Sequence, residues 1–311
     1  MTKKNFYKDI NIKRLDNFLD DHLNEEKFLS NGFPTYSSIE FSINGACNRR
    51  CFFCPRVDEK NYPNILKSFP LENFKKIITE LKNEAFDGRI SFSGFCEPLL
   101  SKNLNEYISL ARESLPKILI EIVTNGDPLL AKNGRSRLKE LYKSGLNNCR
   151  VSLYDGPHQI EEMENIKADL NLSDEEFIVR KRYLGPEESY GLTISNRAGS
   201  VSLKNEHFEL KPLDEPLKSP CYYPFYKMLI DHDGDVLICS NDWKKEAVVG
   251  NVIKDNVTLS DIWANEKFVY LRKQLMKSDR CHSPCNLCDV NGTLNGKKSF
   301  DIWKNHFTRK T

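Results

Sequence analysis

The sequence predicts an α/β fold built on a parallel sheet, followed by a smaller cysteine-rich C-terminal part. Three observations point there. Short apolar segments of strand length alternate with helical segments from residue 39 to residue 183. That rhythm stops beyond about Gly199, where Pro212, Pro216, Pro220 and Pro224 crowd together. Eight of the ten cysteines fall into two groups, one on each side of the break.

The elements follow in order. Leu15, Phe18, Leu19, Leu23 and Phe28 have helical spacing that Gly32 and Pro34 end, so residues 1–36 read as an N-terminal helical extension. Strands are expected at residues 39–43, 89–93, 118–124, 150–154 and 177–183. Helices are expected at residues 71–83, 104–114, 136–144 and 160–169, with a further short apolar strand at 192–194. A long strand–helix alternation implies parallel strands, and ligand-binding groups in such sheets gather in the loops after the strand C-termini. In the C-terminal part, residues 228–230 and 236–238 flank Asp233-Gly234, a hairpin signal. The boundaries read as 1–36, 37–204 and 205–311.

Composition narrows the function classes. A chain of 311 residues buries roughly three quarters of its unfolded surface, enough for a large core. Hydrophobic residues at 39% and charged residues at 29% are those of an ordinary globular protein. A formal charge of +2 and the lack of a basic tract argue against nucleic acid as the partner. No stretch has the length of a membrane span and residues 1–20 lack a signal-peptide core, so the expectation is a cytoplasmic protein with no membrane partner. Cysteines in that compartment are reduced, and their clustering points to metal rather than disulfides.

Cys47, Cys51 and Cys54 stand in one loop directly after the first expected strand, spaced CxxxCxxC with Phe53 before the last. Three thiolates leave one iron of a four-iron cluster open, whereas a structural zinc site closes with four ligands. This spacing resembles the defining motif of the radical S-adenosylmethionine (SAM) superfamily. The resemblance implies a partial (β/α)6 TIM-like barrel over residues 37–204. It implies a [4Fe-4S] cluster held by the three cysteines, whose open iron binds SAM and cleaves it reductively to a 5′-deoxyadenosyl radical. The electron would come from a flavodoxin- or ferredoxin-like donor.

Later strand ends extend the resemblance. Ser93-Gly94-Phe95-Cys96-Glu97-Pro98 looks like the family's glycine-glycine-glutamate-proline segment, with Cys96 in place of a glycine. Thr124-Asn125-Gly126 is similar to the ribose-binding strand end, and Ser152 falls at the position that meets the methionine carboxylate. Phe53, Gly94, Glu97, Thr124, Asn125, Ser152 and Arg197 are thus the implied SAM-facing residues. Arg197 lies in Asn196-Arg197-Ala198-Gly199, which resembles a ligand-facing turn. Cys149, at the start of its strand, reads as a buried small residue.

By spacing alone the second group, Cys221, Cys239, Cys281, Cys285 and Cys288, suits zinc as well as iron–sulfur. It resembles the C-terminal extension called SPASM in its long form and twitch in its short form. This implies one auxiliary [4Fe-4S] cluster on Cys221, Cys239, Cys285 and Cys288, with Cys281 able to take the place of one. A cluster with four protein ligands relays an electron rather than activating substrate, so the expected reaction is a net oxidation. The implied relatives are twitch-type aminocyclitol dehydrogenases, which act on a small polar substrate. Arg180, Arg182, Tyr154, Asp155 and Arg197 are the candidates to meet the substrate hydroxyl. Arg180 and Arg182 alternate at strand period and share a face, where substrate and helix carboxylates are equally good partners.

Two rivals stand beside this reading. One is a peptide-modifying maturase or an epimerase, with a peptide substrate or a thiol hydrogen donor such as Cys96 or Cys281. Peptide maturases commonly carry a leader-recognition domain of roughly 80 to 90 residues; about 36 residues precede the first strand here. The other is a zinc-stabilised interaction protein, which the three-ligand loop disfavours.

Overall fold

The computed structural model describes residues 27–183, 195–204 and 209–309. Most of the expected N-terminal helix and the apolar run at 192–194 lie outside the described residues.

The strands in chain order are β1 (Ser38–Phe41), β2 (Asn44–Gly45), β3 (Ile65–Ser68), β4 (Arg89–Phe92), β5 (Leu119–Thr124), β6 (Asn148–Leu153) and β7 (Phe177–Lys181). They continue with β8 (Leu203–Lys204), β9 (Glu209–Leu210), β10 (Lys227–Ile230), β11 (Asp235–Leu237) and β12 (Val248–Asn251). One eight-stranded sheet has the order β12-β11-β10-β1-β4-β5-β6-β7. The run from β10 to β7 is parallel throughout, and β11 and β12 close its other side as antiparallel strands. This is the mixed α/β architecture of a barrel left open, as the sequence rhythm predicts.

Pairing register sorts the side chains onto two faces. Ser38, Glu40, Arg89, Ser91, Glu121, Arg150, Ser152, Arg180 and Lys227 share one face through their registers. Ile39, Phe41, Ile90, Phe92, Ile120, Ile122, Cys149, Val151, Met228 and Ile230 share the other and are almost fully buried. Helices cover this apolar face. The helix Leu71–Asn83 buries Phe74, Ile77, Ile78 and Leu81, and the helix Leu104–Ser114 buries Leu104, Tyr107, Ile108 and Ala111, each a stripe at i, i+3, i+4, i+7. The polar face is left for chemistry, and its charges largely pair: Glu121 accepts from Arg89 at 3.0 Å and lies 3.0 Å from Arg150.

The hairpin expected in the C-terminal part forms, with Leu229 opposite Leu237 and Ile230 opposite Val236. Its first strand is also registered against β1, Ser38 to Lys227 through Phe41 to Ile230, so the C-terminal part adds strands to the main sheet. Without β10, β1 would be an edge with unpaired backbone groups. The helices Leu259–Ala264, Glu266–Met276 and Lys297–Arg309 pack around a fully buried Arg272. Its guanidinium lies 3.8, 3.7 and 4.0 Å from the rings of Trp263, Phe268 and Trp303, and donates to the carbonyls of Pro224 and Trp263.

Candidate active site and its two cysteine groups

The first cysteine group sits beyond β1 in the loop that β2 and β3 brace. The Cys47 amide donates to Asn64 Oδ1 at 2.9 Å, and the Cys54 amide donates to the Cys51 carbonyl at 2.9 Å, which folds the loop back on itself. Asn125, at the end of β5, places Nδ2 3.8 Å from Cys47 Sγ. Burial, with the neighbouring Cys54 sulfur next in weight, pushes the Cys51 thiol up to about 12; burial also raises Cys47. Sulfurs that repel one another's charge in this way are relieved by a shared cation.

Arg56, buried just after Cys54, fixes the loop to its surroundings by donating to the Phe95 and Gly45 carbonyls at 2.7 and 3.0 Å. Arg49, inside the motif, grips two strand ends at once. It donates to both carboxylate oxygens of Asp155 at 2.7 Å and to Asp127 Oδ2 at 2.7 Å. Sequence reasoning missed both arginines, although Arg49 lies between two of the cysteines it singled out.

The other expected SAM-facing residues converge on the same end of the sheet. Glu97 is fully buried and accepts from the Asn125 amide at 2.8 Å, Thr124 Oγ1 at 2.7 Å and the Leu99 amide at 3.0 Å, so it knots the ends of β4 and β5. Burial pushes its carboxyl up to about 7 against the pull of those donors. Gly94 has φ +83°, and a Cβ there would lie 2.9 Å from Leu229 Cδ1. Cys96 keeps its thiol near the Ser93 carbonyl at 3.6 Å, and Cys149 is wholly buried.

Ser152 and Tyr154 stand at the end of β6, where the Tyr154 ring lies 5.3 Å from that of Phe53 and burial raises its hydroxyl. Asp155 carries a carboxyl held below the ordinary range by Arg49. Arg180 is on the polar face, with its Nε buried and without a hydrogen-bond partner among the described residues; Arg182 is buried one strand step beyond. Tyr154 is within electrostatic reach of Cys51, Arg180 and Arg197. Tyr154 and Asp155 therefore stand beside the first cysteine loop, with Arg180 on the adjacent strand.

The second group encloses a separate cavity. Cys221, Cys239, Cys285 and Cys288 line it together with Ala198, Tyr223 and Arg280. Burial raises all four thiols, Cys221 to about 11 and Cys288 to about 12. Cys281 is exposed and does not line this cavity. Gly292 makes room for the cluster-facing loop, since a Cβ there would come within 2.3 Å of Cys221 Sγ.

The turn around Arg197 stands beside the second group. Arg197 and Ala198 hold φ of +49° and +51°, a left-handed conformation that side-chain-bearing residues adopt at a cost of roughly 1–2 kcal/mol each. Asn196 keeps them there. Its amide donates to both Asp289 carboxylate oxygens at 3.0 Å, and its Nδ2 donates to the carbonyls of Leu287 and Lys211 at 2.6 and 2.8 Å. Arg197 reaches Asn241 Oδ1 at 3.2 Å.

Sulfur spacing tests which metal fits. Among the described residues, the Cys, His, Asp and Glu side chains that bring three donor atoms within 4.8 Å are Asp231, His232 and Asp233, whose carboxylates are taken by Lys67 and Lys245. Neither cysteine group is drawn in that far. Zinc bonds of about 2.3 Å would put tetrahedral sulfurs under about 4 Å apart. The first loop offers three thiolates where a structural zinc site closes with four ligands, which disfavours the zinc-stabilised reading.

Comparison with known proteins agrees on both parts. The Radical SAM superfamily profile matches residues 41–170, and an iron–sulfur cluster-binding domain, SPASM, matches residues 221–289. The S-adenosyl-L-methionine-dependent 2-deoxy-scyllo-inosamine dehydrogenase of Niallia circulans is 31% identical over 260 residues, spanning 82% of this chain and 94% of that protein. A GTP 3′,8-cyclase of Helicobacter pylori is 27% identical over 168 residues, 54% of this chain and 47% of its own. The crystal structure of BtrN with AdoMet and 2-DOIA superposes with a TM-score of 0.67 at 27% identity, covering 85% of this chain and 98% of BtrN. The two cysteine groups, the strand ends that face them and the match over most of its length lead to one conclusion: this chain belongs to the radical SAM superfamily, as an oxidoreductase-type member with a C-terminal auxiliary iron–sulfur domain.

Proposed function

We infer that this chain oxidises an alcohol carbon of a small polar molecule, a sugar or cyclitol of the kind named for its dehydrogenase relative, to a ketone. The observation that carries the reading is the pocket lined by four cysteines, because a cluster with four protein ligands has no open iron and serves to move an electron. When bound, SAM and the first cluster supply the radical that takes a hydrogen atom from the carbinol carbon. With the hydroxyl proton gone, a cluster held by Cys221, Cys239, Cys285 and Cys288 would accept the remaining electron.

The chain's own residues divide the work. Residues 37–204 hold Cys47, Cys51 and Cys54 for the SAM cluster, and residues 205–311 hold Cys221, Cys239, Cys285 and Cys288 for the auxiliary one. Phe53, Gly94, Glu97, Thr124, Asn125, Ser152 and Arg197 line the SAM side. Arg180, Arg182 and Arg197 hold the substrate hydroxyl; arginine stays protonated, so it orients the oxygen and stabilises it as the proton departs. Asp155 and Tyr154 are the proton-exchanging groups among these candidates. A flavodoxin- or ferredoxin-like protein supplies the first electron, and the cytoplasm is the compartment that keeps these thiols reduced. Among the described residues, no helix is long and apolar enough to cross a membrane.

Anaerobic reconstitution tests the reading. Incubation with 2-deoxy-scyllo-inosamine, SAM and a strong reductant is expected to give a ketone together with 5′-deoxyadenosine. The Cys47/Cys51/Cys54→Ala triple variant is expected to lose 5′-deoxyadenosine and to fall from roughly eight irons to about four. Cleavage of SAM that survives the triple substitution would sink the assignment of the first cluster. A peptide accepted in place of every cyclitol and sugar tried would transfer the activity to the maturase class.

A further inference from the structure

Lys227 opens β10 and lies in register with Ser38, on the polar face of the sheet. Its ammonium donates to Ser240 Oγ at 3.1 Å, stands 3.6 Å from Glu40 Oε2, and sits over the Tyr223 ring at 4.6 Å from its centre. Ser240 is the neighbour of Cys239. Tyr223 lines the four-cysteine cavity, two residues from Cys221. The side chain is 14% exposed, so water screens the charge only weakly.

We propose that Lys227 sets the reduction potential of the auxiliary cluster and thereby makes it the electron acceptor for substrate oxidation. The acceptor role rests on the reading above; the effect on potential does not. Reduction adds one negative charge to a cluster, and a fixed cation nearby stabilises that form, raising the potential.

Other charges face this cavity as well. Arg280, which lines it, donates to the carbonyls of Ser219, Pro220, Val290 and Asn291; these acceptors are neutral, so its charge acts alongside that of Lys227. Arg197 faces Asn241, and its charge is opposed by Asp289. Asp242, whose carboxyl burial raises, accepts from the Glu246 and Ala247 amides at 3.0 and 2.8 Å. Lys227 pairs with Glu40 at 3.6 Å, which offsets part of its field at the cavity. Lys227 itself makes and breaks no bond. The carbinol gives up one hydrogen atom to the adenosyl radical, one proton to solvent or a rim group, and one electron that reduces the auxiliary cluster.

The test is a redox titration of reconstituted holoenzyme followed by electron paramagnetic resonance, on the parent, Lys227→Met, Lys227→Arg and Glu40→Gln. In Lys227→Met the auxiliary midpoint is expected to fall by about 59 mV, a tenfold loss in the acceptor equilibrium of a one-electron couple. Lys227→Arg is expected to keep the parent midpoint, and Glu40→Gln to raise it. The SAM-binding cluster is expected to hold its potential in all four. Ketone formed per 5′-deoxyadenosine drops in Lys227→Met. An auxiliary midpoint unchanged in both Lys227→Met and Glu40→Gln, at full iron content, overturns the proposal. The predicted shifts in a protein that oxidises no alcohol would uphold the electrostatic role of Lys227 and overturn the acceptor role along with the reading it rests on.

Discussion

Glu97 shows how one residue carries both structure and site. Burial raises its carboxyl from 4.5 to about 7, so the folded chain binds a proton that the unfolded chain has already released. Its contribution to stability is therefore full below about pH 4.5 and is lost as the pH rises through about 7, a difference of about 3 kcal/mol. Urea denaturation of the cluster-free chain at pH 5 and pH 7.5 is expected to show that loss in the parent. A Glu97→Gln variant, with nothing to titrate, is expected to show little of it. The residue was legible from its neighbours in sequence, because a Gly-x-Cys-Glu-Pro segment after a strand is an unusual combination. Arg49 and Asn196 were not legible: a side chain that ties Asp127 to Asp155, or a turn to Asp289, reveals its role only when distant strand ends are in place. Cys281→Ser is expected to leave the iron content of the reconstituted protein unchanged, whereas Cys285→Ser is expected to lower it towards the four irons of one cluster.

At the scale of single elements, periodicity served well where helices cover one face of a sheet. The helices Leu71–Asn83 and Leu104–Ser114 coincide with the expected spans because their buried stripes are complete, and Pro70 bounds the first. Replacing Phe74 by Ala is expected to cost roughly 3–5 kcal/mol, read as a drop in the denaturation midpoint. The hairpin of β10 and β11 was legible through Asp233-Gly234. Its pairing with β1 was not, since an apolar run such as Lys227–Ile230 carries no mark of which distant strand it will join. Short loops placed by close approach are also silent in a sequence. Gly292 is the example: with φ +74° and a cysteine sulfur where a methyl would go, Gly292→Ala is expected to empty the auxiliary site while the first cluster remains, giving about four irons in place of roughly eight.

Across the whole molecule, the two cysteine groups and the sheet between them were predictable in kind, and their mutual placement was not. Arg272 illustrates what holds the C-terminal part in place. Its charge has no acidic partner among the described residues and is accommodated by three aromatic faces and two carbonyls. Arg272→Ala is expected to lower the melting temperature by several degrees, through lost packing and two carbonyls left without a donor.

The register of β10 against β1 has a further consequence, for the order of events during synthesis. Tyr226 accepts a hydrogen bond from Ser37 across a sequence separation of 189 residues. One side of β1 must therefore wait, unpaired, until most of the chain has left the ribosome. Contacts of that range form slowly, and an exposed strand edge invites partners of the wrong kind in the interval. The loop bearing Cys47, Cys51 and Cys54 hangs from that same waiting strand, so a nascent chain presents its first iron-binding thiols well before the sheet beneath them is complete.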